Sequence, residues 1–483
     1  MKFIVKLFPE ITIKSKPVRQ RFVKQLRRNI RWTLKPIDPE IEVVGSWDKI
    51  EVVTQQDDKA VTQQIAEKLT HTPGICQVLE VVDYPLVDLD DMLDKVATIF
   101  GDSLAGHSFC VRCKRSGHHE FTSTDAERYI GGGLHQRVAN TSIKLKDPEI
   151  TVKLEIKNKR FYVVKSVLPG LGGFPLGTQD GVLSLISGGF DSTVSSFLTM
   201  KRGLLTHYCF FNLGGHAHEI GVKEVAYYLW NKFGSSHRVK FVTVPFEHVV
   251  AEILQNIDKS YMGVVLKRMM LRAASQVAEG LEVEALVTGE AIAQVSSQTL
   301  ANLSVIDEVT ENLVIRPLIT MDKQDIINTA RAIGTEDFAK NIPEYCGVIS
   351  VNPTTRARRH KVEDVESNFN FAVLDQAVAD RREVLINDII QDDLKAAEVE
   401  VLSIPLPNSV ILDIRHPTEE ELSPLKMDNN EVKTIPFYQL NTAFKELDAN
   451  QQYMLYCDKG VMSRLHAMHL KDEGYENIKV YRP

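Results

Sequence analysis

The feature that most constrains this chain is the stretch at residues 182–193, which reads Val-Leu-Ser-Leu-Ile-Ser-Gly-Gly-Phe-Asp-Ser-Thr. Its apolar run stops at Gly188 and Gly189, and apolar spacing resumes over residues 194–200. This pattern predicts a buried strand, a tight loop and a helix. Glycines let a backbone approach an anion closely, and the free NH groups of a helix N-terminus donate hydrogen bonds to it. The stretch therefore predicts a loop that binds nucleotide phosphates.

The loop lacks the Gly-Lys-Ser/Thr ending of a Walker A loop, whose lysine reaches the terminal phosphates. The Ser-Gly-Gly-x-Asp-Ser pattern at residues 187–192 instead resembles the PP-loop of ATP pyrophosphatases, enzymes that adenylate a carbonyl oxygen and release pyrophosphate. The resemblance implies ATP and Mg²⁺ as cofactors, with Asp191 holding the metal or orienting the phosphates. An ordinary turn capped by Asp191 is the alternative, which the complete pattern disfavours. The nucleotide-binding positions expected at the loop are Leu185, Ile186, Ser187, Gly188, Gly189, Asp191 and Ser192.

Composition indicates a multidomain protein of a reducing compartment. The 483 residues allow roughly three or four domains of ordinary size. No apolar run reaches the length that spans a bilayer, and the N-terminus reads as an amphipathic strand rather than as a signal peptide. Six scattered cysteines are too few for a disulfide framework in a chain of this length. We therefore expect a soluble, cytoplasmic protein with no membrane partner.

The net charge of −7 hides a strong asymmetry along the chain. Residues 1–35 hold eleven Lys and Arg residues against a single acidic residue, Glu10. This end of the chain is therefore suited to an anionic partner, although a solvated helix face is an alternative explanation of the charge.

Two small α+β domains are expected in the N-terminal third of the chain. In the first, at 1–60, alternation over residues 2–14 predicts a strand, and an apolar residue at every fourth position from 18 to 34 predicts a basic helix. We expect a ferredoxin-like fold there. The second, at 61–165, resembles a THUMP domain, a module of tRNA-modifying enzymes. Its basic residues suit an RNA phosphate backbone, and they are Arg112, Lys114, Arg115, Lys144, Lys146, Lys157, Lys159 and Arg160.

Cys110 and Cys113, followed by His118 and His119, have the composition of a zinc site. Residues three apart in a strand point to opposite faces, so the two thiols do not converge on one metal ion. No second cysteine pair lies at the spacing of a zinc site. We therefore expect no metal here.

A glycine- and proline-rich segment at 168–177 is expected to be a linker into a third domain at 166–402. From residue 181 onward, predicted strands alternate with predicted helices, which is typical of a doubly wound parallel sheet. Ligands of such sheets bind at the carboxyl ends of the strands, where the phosphate loop falls. An acidic helical region is expected near the end of this domain, at 361–399.

Four more residues are candidates for the nucleotide site. Gly289 ends a predicted strand and Gln298 follows soon after, where a nucleotide lies against backbone. Lys267 interrupts an apolar helix and is expected to reach a phosphate, or alternatively to run along the apolar face with its amine in water. Lys323 occupies the first turn of a predicted helix, where the helix dipole disfavours a cation. A functional reason is therefore expected for Lys323.

The fourth expected domain, at 405–483, is organised around Cys457. This cysteine ends a predicted strand and begins a loop that feeds a helix. NH dipoles and the neighbouring Lys459 and Arg464 are conditions that lower a thiol pKa and stabilise a persulfide anion. The pattern resembles the active-site loop of a rhodanese domain, with a buried structural cysteine as the alternative. A second candidate thiol is Cys346, which is flanked by proline and glycine in a predicted loop.

The four expected domains, in this order, resemble the tRNA 4-thiouridine synthetase family over essentially the whole chain. The resemblance implies a multidomain α/β and α+β enzyme that makes 4-thiouridine at position 8 of tRNA, with sulfur supplied by a cysteine desulfurase. It also implies sulfur transfer to a small carrier protein that serves the synthesis of the thiamine thiazole.

The resemblance further implies a division of catalytic roles. ATP held by the phosphate loop adenylates uridine O4, with Asp191 aligning the phosphates and Lys323 neutralising developing charge. Sulfur carried as a persulfide on Cys457, or sulfide released from it, then attacks C4. Cys346 breaks the sulfur-sulfur bond, so the product state holds a disulfide between Cys346 and Cys457.

Two other function classes are weighed against this one. An RNA-binding scaffold with a regulatory nucleotide site leaves the complete loop and the cysteine at position 457 unexplained. An ATP-dependent amide-forming enzyme of the PP-loop type uses ammonia, yet no glutaminase-like cysteine domain is recognised and a persulfide carrier has no task in that scheme.

Overall fold

The computed structural model describes residues 1–45, 49–213, 215–341, 352–389, 399–415, 417–427, 429–457 and 461–483. They form two compact units, Met1–Pro175 and Leu176–Pro483. Within these ranges, no helix combines the length and the apolar character that crossing a bilayer requires.

The first unit is built on one eight-stranded sheet. Its strands are β1 (Lys2–Leu7), β2 (Glu42–Gly45), β3 (Lys49–Val53), β4 (Ile75–Pro85), β5 (Ser108–Ser116), β6 (Ser142–Ile143), β7 (Ile150–Lys157) and β8 (Arg160–Gly172). The strand order is β2-β3-β1-β4-β8-β7-β5-β6. Pairing is antiparallel except where β5 meets β6 and β7. The two small domains expected from the sequence therefore share a continuous sheet.

Among the described residues of this unit, the helices that accompany the sheet are α1 (Pro9–Thr12), α2 (Lys16–Leu34), α3 (Lys59–Thr70), α4 (Leu89–Leu104) and α5 (Ser123–Arg137). The basic helix expected from fourfold spacing is α2, which buries Phe22, Leu26 and Ile30. A reciprocal capping box between Thr122 and Asp125 fixes the start of α5, since both side chains accept from backbone NH groups. Sequence periodicity and capping therefore account for the helices of this unit.

The first unit differs from the sequence expectation in two places. The strand expected over residues 2–14 ends at Leu7, because Pro9 lacks an NH to donate to the sheet and instead opens α1. The expected linker begins later than residue 168, because β8 continues to pair with β4 as far as Gly172. A Cβ at Gly170 would lie 2.4 Å from the Ile75 carbonyl oxygen, so this glycine permits a close strand approach rather than chain flexibility.

The second unit begins with a six-stranded sheet made of β9 (Gly181–Leu185), β10 (Leu205–Asn212), β11 (Lys240–Pro245), β12 (Ala285–Val287), β13 (Leu313–Ile315) and β14 (Arg382–Leu385). The order is β13-β12-β9-β10-β11-β14, with all pairs parallel except β11 with β14. The chain winds from β9 to β11 in one direction and then crosses to β12 on the other side of β9. The crevice between β9 and β12 is therefore the topological switch point, where such sheets bind ligands.

The helices of this part are α6 (Phe190–Lys201), α7 (Gly215–Leu229), α8 (Glu247–Asn256), α9 (Met262–Gly280), α10 (Leu300–Asp307), α11 (Lys323–Ile333), α12 (Glu336–Asn341), α13 (Arg359–Glu366) and α14 (Phe371–Ala379). The acidic region at 361–399 is predicted to be helical, which α13 and α14 confirm and β14 contradicts, whereas residues 390–398 lie outside the described residues. In β14, Val384 and Leu385 pair with Phe241 and Lys240 of β11, so the sheet edge overrides the helical composition.

A five-stranded parallel sheet completes the second unit. It consists of β15 (Val401–Leu402), β16 (Val410–Asp413), β17 (Val432–Thr434), β18 (Tyr453–Tyr456) and β19 (Ile478–Tyr481), in the order β15-β19-β18-β16-β17. Its helices are α15 (Pro417–Leu422), α16 (Phe437–Ala443) and α17 (Val461–Asp472). Buried runs such as Val410–Asp413 are typical of strands covered on both faces.

Candidate active site

The phosphate loop has the strand, loop and helix that the sequence predicts. β9 ends at Leu185, Gly188 adopts a positive φ of 84°, and α6 begins at Phe190 after the capping residue Gly189. The Ser192 hydroxyl accepts a hydrogen bond from the Ser187 NH at 3.1 Å and lies 3.1 Å from the Ser187 hydroxyl. The loop therefore closes on itself through the two serines that the sequence assigns to phosphate binding.

Leu185 and Ile186 lead into this loop from the buried sheet. Leu185 pairs with Cys209 of β10, and the Ile186 NH donates to the Cys209 carbonyl at 2.9 Å. Ile186 is itself buried. The loop is therefore anchored in the rigid centre of the sheet, which fixes the direction in which its glycines project.

Asp191 is held by two side chains from distant parts of the chain. Its Oδ1 accepts from Lys323 Nζ at 2.8 Å, and its Oδ2 accepts from Gln294 Nε2 at 2.7 Å. Lys323 is the first residue of α11, as the sequence predicts. Asp191 offsets the unfavourable interaction of that cation with the helix dipole, so the placement of Lys323 has an electrostatic explanation in the structure.

Gln294 is the residue that sequence reasoning missed. It stands 103 positions from Asp191, and no local motif marks it. The preceding residue, Ala293, has a φ of 64°, a left-handed conformation that costs a residue with a Cβ. This conformation places the Gln294 amide over the phosphate loop, so backbone strain is the signal that identifies it.

Gly289 lies against the backbone of the phosphate loop. A Cβ at this position would lie 2.6 Å from the Asp191 carbonyl carbon and 2.7 Å from the Ser192 nitrogen. The sequence predicts a small residue here because a nucleotide lies against backbone. The structure adds a second reason, because only glycine lets the end of β12 approach the start of α6 so closely.

Lys267 is part of a buried ionic network. Its Nζ lies 2.5 Å from Glu290, which also accepts from Arg316 at 2.7 Å. Burial opposes ionisation of Glu290, but Lys267 and Arg316 lower its pKa to about 2. The amine is therefore directed by a carboxylate next to Gly289, and neither of the two sequence expectations for Lys267 described this partner.

Gln298 is also buried in this region and stabilises the same loop. Its Oε1 accepts from the Ala291 NH at 3.3 Å, and its carbonyl oxygen accepts from the Ala293 NH at 3.1 Å. Gln298 thus supports the backbone that carries Gln294. The structure brings together the loop, Lys267, Gly289, Gln298 and Lys323 at the carboxyl ends of β9 and β12.

Replacing Glu290 with Gln is expected to destabilise the folded chain at neutral pH. Two cations lose their buried counter-charge, which costs about 3–5 kcal/mol for a broken buried pair. A depressed carboxyl pKa contributes stability above the unfolded-state pKa, near 4.5, and the contribution is lost as the pH falls towards 2. Urea unfolding should therefore separate the variant from the wild type at pH 7, and the difference should shrink below about pH 4.5 and vanish only as the pH approaches 2.

The matched control for this variant is Asp307→Asn. Asp307 also pairs with Arg316, but its side chain is 38% exposed. We expect a loss below about 1 kcal/mol there. Equal losses for the two variants would contradict the account of Glu290.

Cys457 follows β18 and precedes α17, as the sequence predicts. Its sulfur accepts a hydrogen bond from the Ser463 NH in the first turn of α17, and lies 3.4 Å from both the nitrogen and the hydroxyl. Burial and Arg482 lower the pKa of Arg464, and the negative charge of a Cys457 thiolate opposes that shift. The described neighbours Ser463 and Arg464 therefore favour an anionic sulfur, whereas Lys459 lies outside the described residues.

Cys457 is buried against α7, a helix that packs on the six-stranded sheet. It is only 7% exposed and shares an apolar cluster with Val225 and Ala226. Burial and the nearby Cys457 charge raise the pKa of Tyr227 to about 12. On the neighbouring turns, His466 of α17 lies 3.1 Å from Glu224, and burial raises the pKa of Glu224 well above its usual value.

Cys457, which packs against α7, is distant from the phosphate loop. His218, near the start of α7, places its Nε2 3.4 Å from the Ser187 carbonyl oxygen. Tyr227, beside Cys457, lies nine residues further along the same helix, which is about 14 Å at 1.5 Å per residue. The second candidate thiol, Cys346, lies outside the described residues.

The other cysteines occupy buried or half-buried positions. Cys110 and Cys113 are both buried in β5, and burial raises the pKa of Cys113 to about 11. A thiol with such a pKa is a poor metal ligand. Within the described ranges, no group of three or more potential metal ligands occurs.

Comparisons with known proteins decide the family. Family models match residues 2–78 (ThiI ferredoxin-like domain), 87–164 (THUMP domain), 177–371 (Thiamine biosynthesis protein, ThiI) and 399–482 (Rhodanese-like domain). A tRNA sulfurtransferase of Pseudomonas putida is 56% identical over all 483 residues and over its own full length. The chain belongs to the tRNA sulfurtransferase family. This membership confirms the enzyme class and the fold class expected from the sequence.

Other relatives agree with this assignment. The tRNA sulfurtransferases of Pseudomonas aeruginosa strain UCBPP-PA14 and Azotobacter vinelandii are 57% and 56% identical, each with full coverage of both chains. A solved 4-thiouridine synthetase, crystallised as an RNA complex with bound ATP, matches with a TM-score of 0.70 and 24% identity, covering 80% of this chain and 99% of that one. The solved structure thus shares the fold.

Proposed function

We propose that this chain adenylates O4 of the uridine at position 8 of tRNA and then replaces that oxygen with sulfur. The observation that carries the proposal is the placement of Asp191 between Lys323 and Gln294 at the mouth of the phosphate loop. The family's name and the fold shared with an RNA- and ATP-bound synthetase support tRNA and ATP as the two ligands.

The loop residues fit a nucleotide triphosphate. Gly188 and Gly189 leave its backbone open to phosphate oxygens, and the serine hydroxyls at 187 and 192 exchange their mutual contact for contacts with those oxygens. The Asp191 carboxylate is the ligand type that Mg²⁺ prefers, and the metal supplies charge neutralisation at the phosphates when it is bound. Lys323 adds a cation for charge that develops at the transferred phosphoryl group. Lys267, directed by Glu290, supplies another.

Adenylation transfers the α-phosphoryl group of ATP, with its adenosine, to the uridine. Uridine O4 forms a bond to the α-phosphorus, and the bond from that phosphorus to the bridging oxygen breaks to release pyrophosphate. The modified O4 can now leave as AMP. The protein's part is to hold the loop, Asp191 and Lys323 in position around the reacting phosphorus.

The sulfur step uses Cys457 as carrier and Cys346 as the resolving thiol. The outer sulfur of a Cys457 persulfide bonds to C4 as AMP leaves. The Cys346 thiolate then attacks the Cys457 sulfur, which releases 4-thiouridine and forms a Cys346–Cys457 disulfide. A reductant must reopen this disulfide before another turnover.

We further propose the partners and setting implied by the family. A cysteine desulfurase in the cytoplasm supplies the persulfide, and Cys457 also passes sulfur to a small carrier protein for thiamine thiazole synthesis. The description of the matched family as a thiamine biosynthesis protein supports the second role. No observation favours an amide-forming reaction or a purely regulatory nucleotide site.

The decisive experiment incubates the full chain with unmodified tRNA, ATP, magnesium and a persulfide source. We expect 4-thiouridine at position 8, with release of pyrophosphate and AMP. Parallel reactions omit ATP or replace it with an analogue that does not release pyrophosphate. Thiouridine formation in those reactions would contradict the adenylation step.

The first compact unit is expected to bind tRNA alone. Residues 1–175 hold the basic helix α2 and buried apolar cores of their own, so this fragment is expected to fold. Because the contacts are largely to phosphates, affinity should fall steeply as salt rises. Filter binding over a salt series measures this, and a folded fragment without affinity for tRNA would place the binding surface on the second unit.

A further inference from the structure

Three successive carbonyl groups of the phosphate loop each accept a hydrogen bond. The Gly189 carbonyl oxygen accepts from the Thr193 NH at 3.2 Å, and the Gly188 carbonyl oxygen accepts from the Thr193 hydroxyl at 3.5 Å. Both donors belong to α6, the helix that follows the loop directly. The Ser187 carbonyl oxygen differs, because its donor in the described part of the chain is His218 of α7, 31 positions away.

The contact with Ser187 defines which ring nitrogen of His218 carries a hydrogen. A carbonyl oxygen only accepts, so Nε2, which lies 3.4 Å from it, is the donor. The His218 ring is buried, and the Phe210 ring of β10 contacts it edge to face, with the centroids 4.9 Å apart. Burial lowers the pKa of His218, so the ring is a neutral donor at neutral pH.

Glu219, the next residue along α7, fixes the start of this helix on the sheet. Its buried carboxylate accepts from Asn212 at 3.3 Å, from Thr243 of β11 at 3.2 Å and from Arg382 of β14 at 2.7 Å. Asn212 is the last residue of β10. Three strands therefore hold the start of α7 and position the His218 ring before any ligand binds.

The direction of the Ser187 carbonyl also sets the direction of the next NH group. A trans peptide unit points its C=O and its N–H in opposite directions, and the described chain has no cis peptide bond. The Gly188 NH therefore points away from His218. Among the described residues, the NH groups of Gly188 and Gly189 donate to no protein acceptor, and backbone NH groups of this kind bind anions.

Without His218, the peptide unit between Ser187 and Gly188 is free to turn over. Gly188 has a φ of 84°, and a glycine adopts negative φ values about as readily as positive ones. Half a turn of the unit exchanges the NH group for the carbonyl oxygen. The loop then presents a partial negative charge where it otherwise presents a donor, and an oxyanion is repelled.

We propose that His218 is a positioning residue of the phosphate loop, which holds the Ser187 carbonyl oxygen away from a bound phosphate and keeps the Gly188 NH available to it. The inference rests on the proposed function, in which this loop binds the phosphates of ATP. It adds to that site a residue of α7 that lies outside the loop motif. His218 acts through one peptide unit and does not contact the phosphates itself.

The test compares His218→Phe with His218→Gln in the full chain. Phenylalanine keeps a flat ring against Phe210 but has no NH, whereas glutamine carries an amide NH₂ at a similar reach. Binding of ATP with Mg²⁺ to RNA-free protein is measured by calorimetry. We expect His218→Phe to weaken it roughly tenfold, because a fixed NH donor is lost. His218→Gln should stay within about threefold of wild type.

Stability and affinity should follow opposite orders in these two variants. His218→Phe should unfold at a temperature at least as high as His218→Gln, because the amide is the costlier group to bury, and yet it should bind ATP more weakly. In tRNA-dependent pyrophosphate release, KM for ATP should rise with little change in kcat, since the NH binds phosphate in the ground state and the transition state alike. His218→Leu also lacks an NH and replaces the phenylalanine variant if that protein does not fold.

The matched control is His207→Phe. His207 also hydrogen-bonds to backbone, since its Nδ1 accepts from the Lys240 NH at 3.1 Å. It lies within β10, where it pairs with Leu183 rather than with the loop. This variant should keep the wild-type affinity for ATP.

The outcomes separate the role of His218 from the proposed function. Wild-type affinity in the variants that lack the NH, or equal losses in His218→Phe and His218→Gln, would overturn the positioning role. A lower kcat at unchanged ATP affinity would place His218 at the reacting atoms and would also contradict it. Wild-type protein that binds neither ATP nor inorganic pyrophosphate would overturn the proposed function together with the inference.

Discussion

Replacing Asp191 with Ala is expected to abolish tRNA-dependent pyrophosphate release while the protein stays folded. The carboxylate is the shared acceptor of Lys323 and Gln294, so its loss frees both donors at the mouth of the phosphate loop. Removing one preorganised electrostatic group from an active site typically costs a factor of about 10²–10³ in rate. We expect a loss of at least that size, because two further groups lose their anchor.

Stability should change little in the same variant. The Lys323 partner is 43% exposed and Asp191 22% exposed, and ion pairs of this kind contribute about 0–1 kcal/mol. Unfolding in urea verifies this point, and pyrophosphate release with and without tRNA measures the activity. Asp325→Ala removes an exposed carboxylate from the same turn of α11 as Lys323 and serves as the control. An Asp191→Ala protein that releases pyrophosphate at the wild-type rate would refute the role given to the loop.

The strand, the loop and the helix of the candidate site are local in sequence and could be predicted from it. The apolar run, paired glycines and helix spacing define β9, the loop and α6 without reference to the rest of the chain. The place of Lys323 in the first turn of α11 is confirmed, whereas its role, inferred because the helix dipole disfavours a cation there, stays a prediction. In each instance the signal lies within a few residues of the feature that it predicts.

The contacts that assemble the site were not predictable in this way. The Gln294 contact with Asp191 depends on the crossing from β11 to β12 and on the left-handed backbone at Ala293. The approach of Gly289 to the loop depends on the pairing of β12 with β9. The glycine-rich segment at 168–177 was predicted to be a linker. This was wrong as far as Gly172, because β8 pairs with β4 up to that residue. Tertiary packing decides these features.

The sequence did not predict how the C-terminal sheet packs against the rest of the second unit. The sequence indicates a separate domain at 405–483, and separate domains are usually mobile. In the structure, α17 packs on α7 and α16 packs on α12, where the ring centroids of Phe338 and Phe437 lie 4.6 Å apart. Cys457 is therefore buried at this interface, and the proposed delivery of its sulfur to the phosphate loop requires the interface to open or rearrange.

Replacing Cys457 with Ala should leave pyrophosphate release intact and eliminate 4-thiouridine. The two steps separate because they use different groups, and Tyr227, the α7 residue beside Cys457, lies about 14 Å along α7 from His218, which contacts the loop. Cys346→Ala should accept sulfur on Cys457 and then stop, since no second thiol resolves the sulfur-sulfur bond. Cys76→Ala changes a half-buried cysteine of the first unit and should behave as wild type.

Because Cys457 is buried against α7, the formation of a disulfide between Cys346 and Cys457 tests whether the C-terminal sheet moves during turnover. After one turnover without reductant, peptide mapping of wild-type protein should recover both cysteines in one disulfide-linked peptide pair. Before turnover, alkylation of Cys457 should be slow, because the thiol is 7% exposed and modification of a buried group requires the interface to open first. We expect unmodified tRNA with ATP to accelerate alkylation, because formation of the activated complex exposes Cys457. Two free thiols after stoichiometric thiouridine formation would exclude the resolving role of Cys346, whereas a disulfide formed without any increase in Cys457 reactivity would mean that Cys346 reaches the docked cysteine.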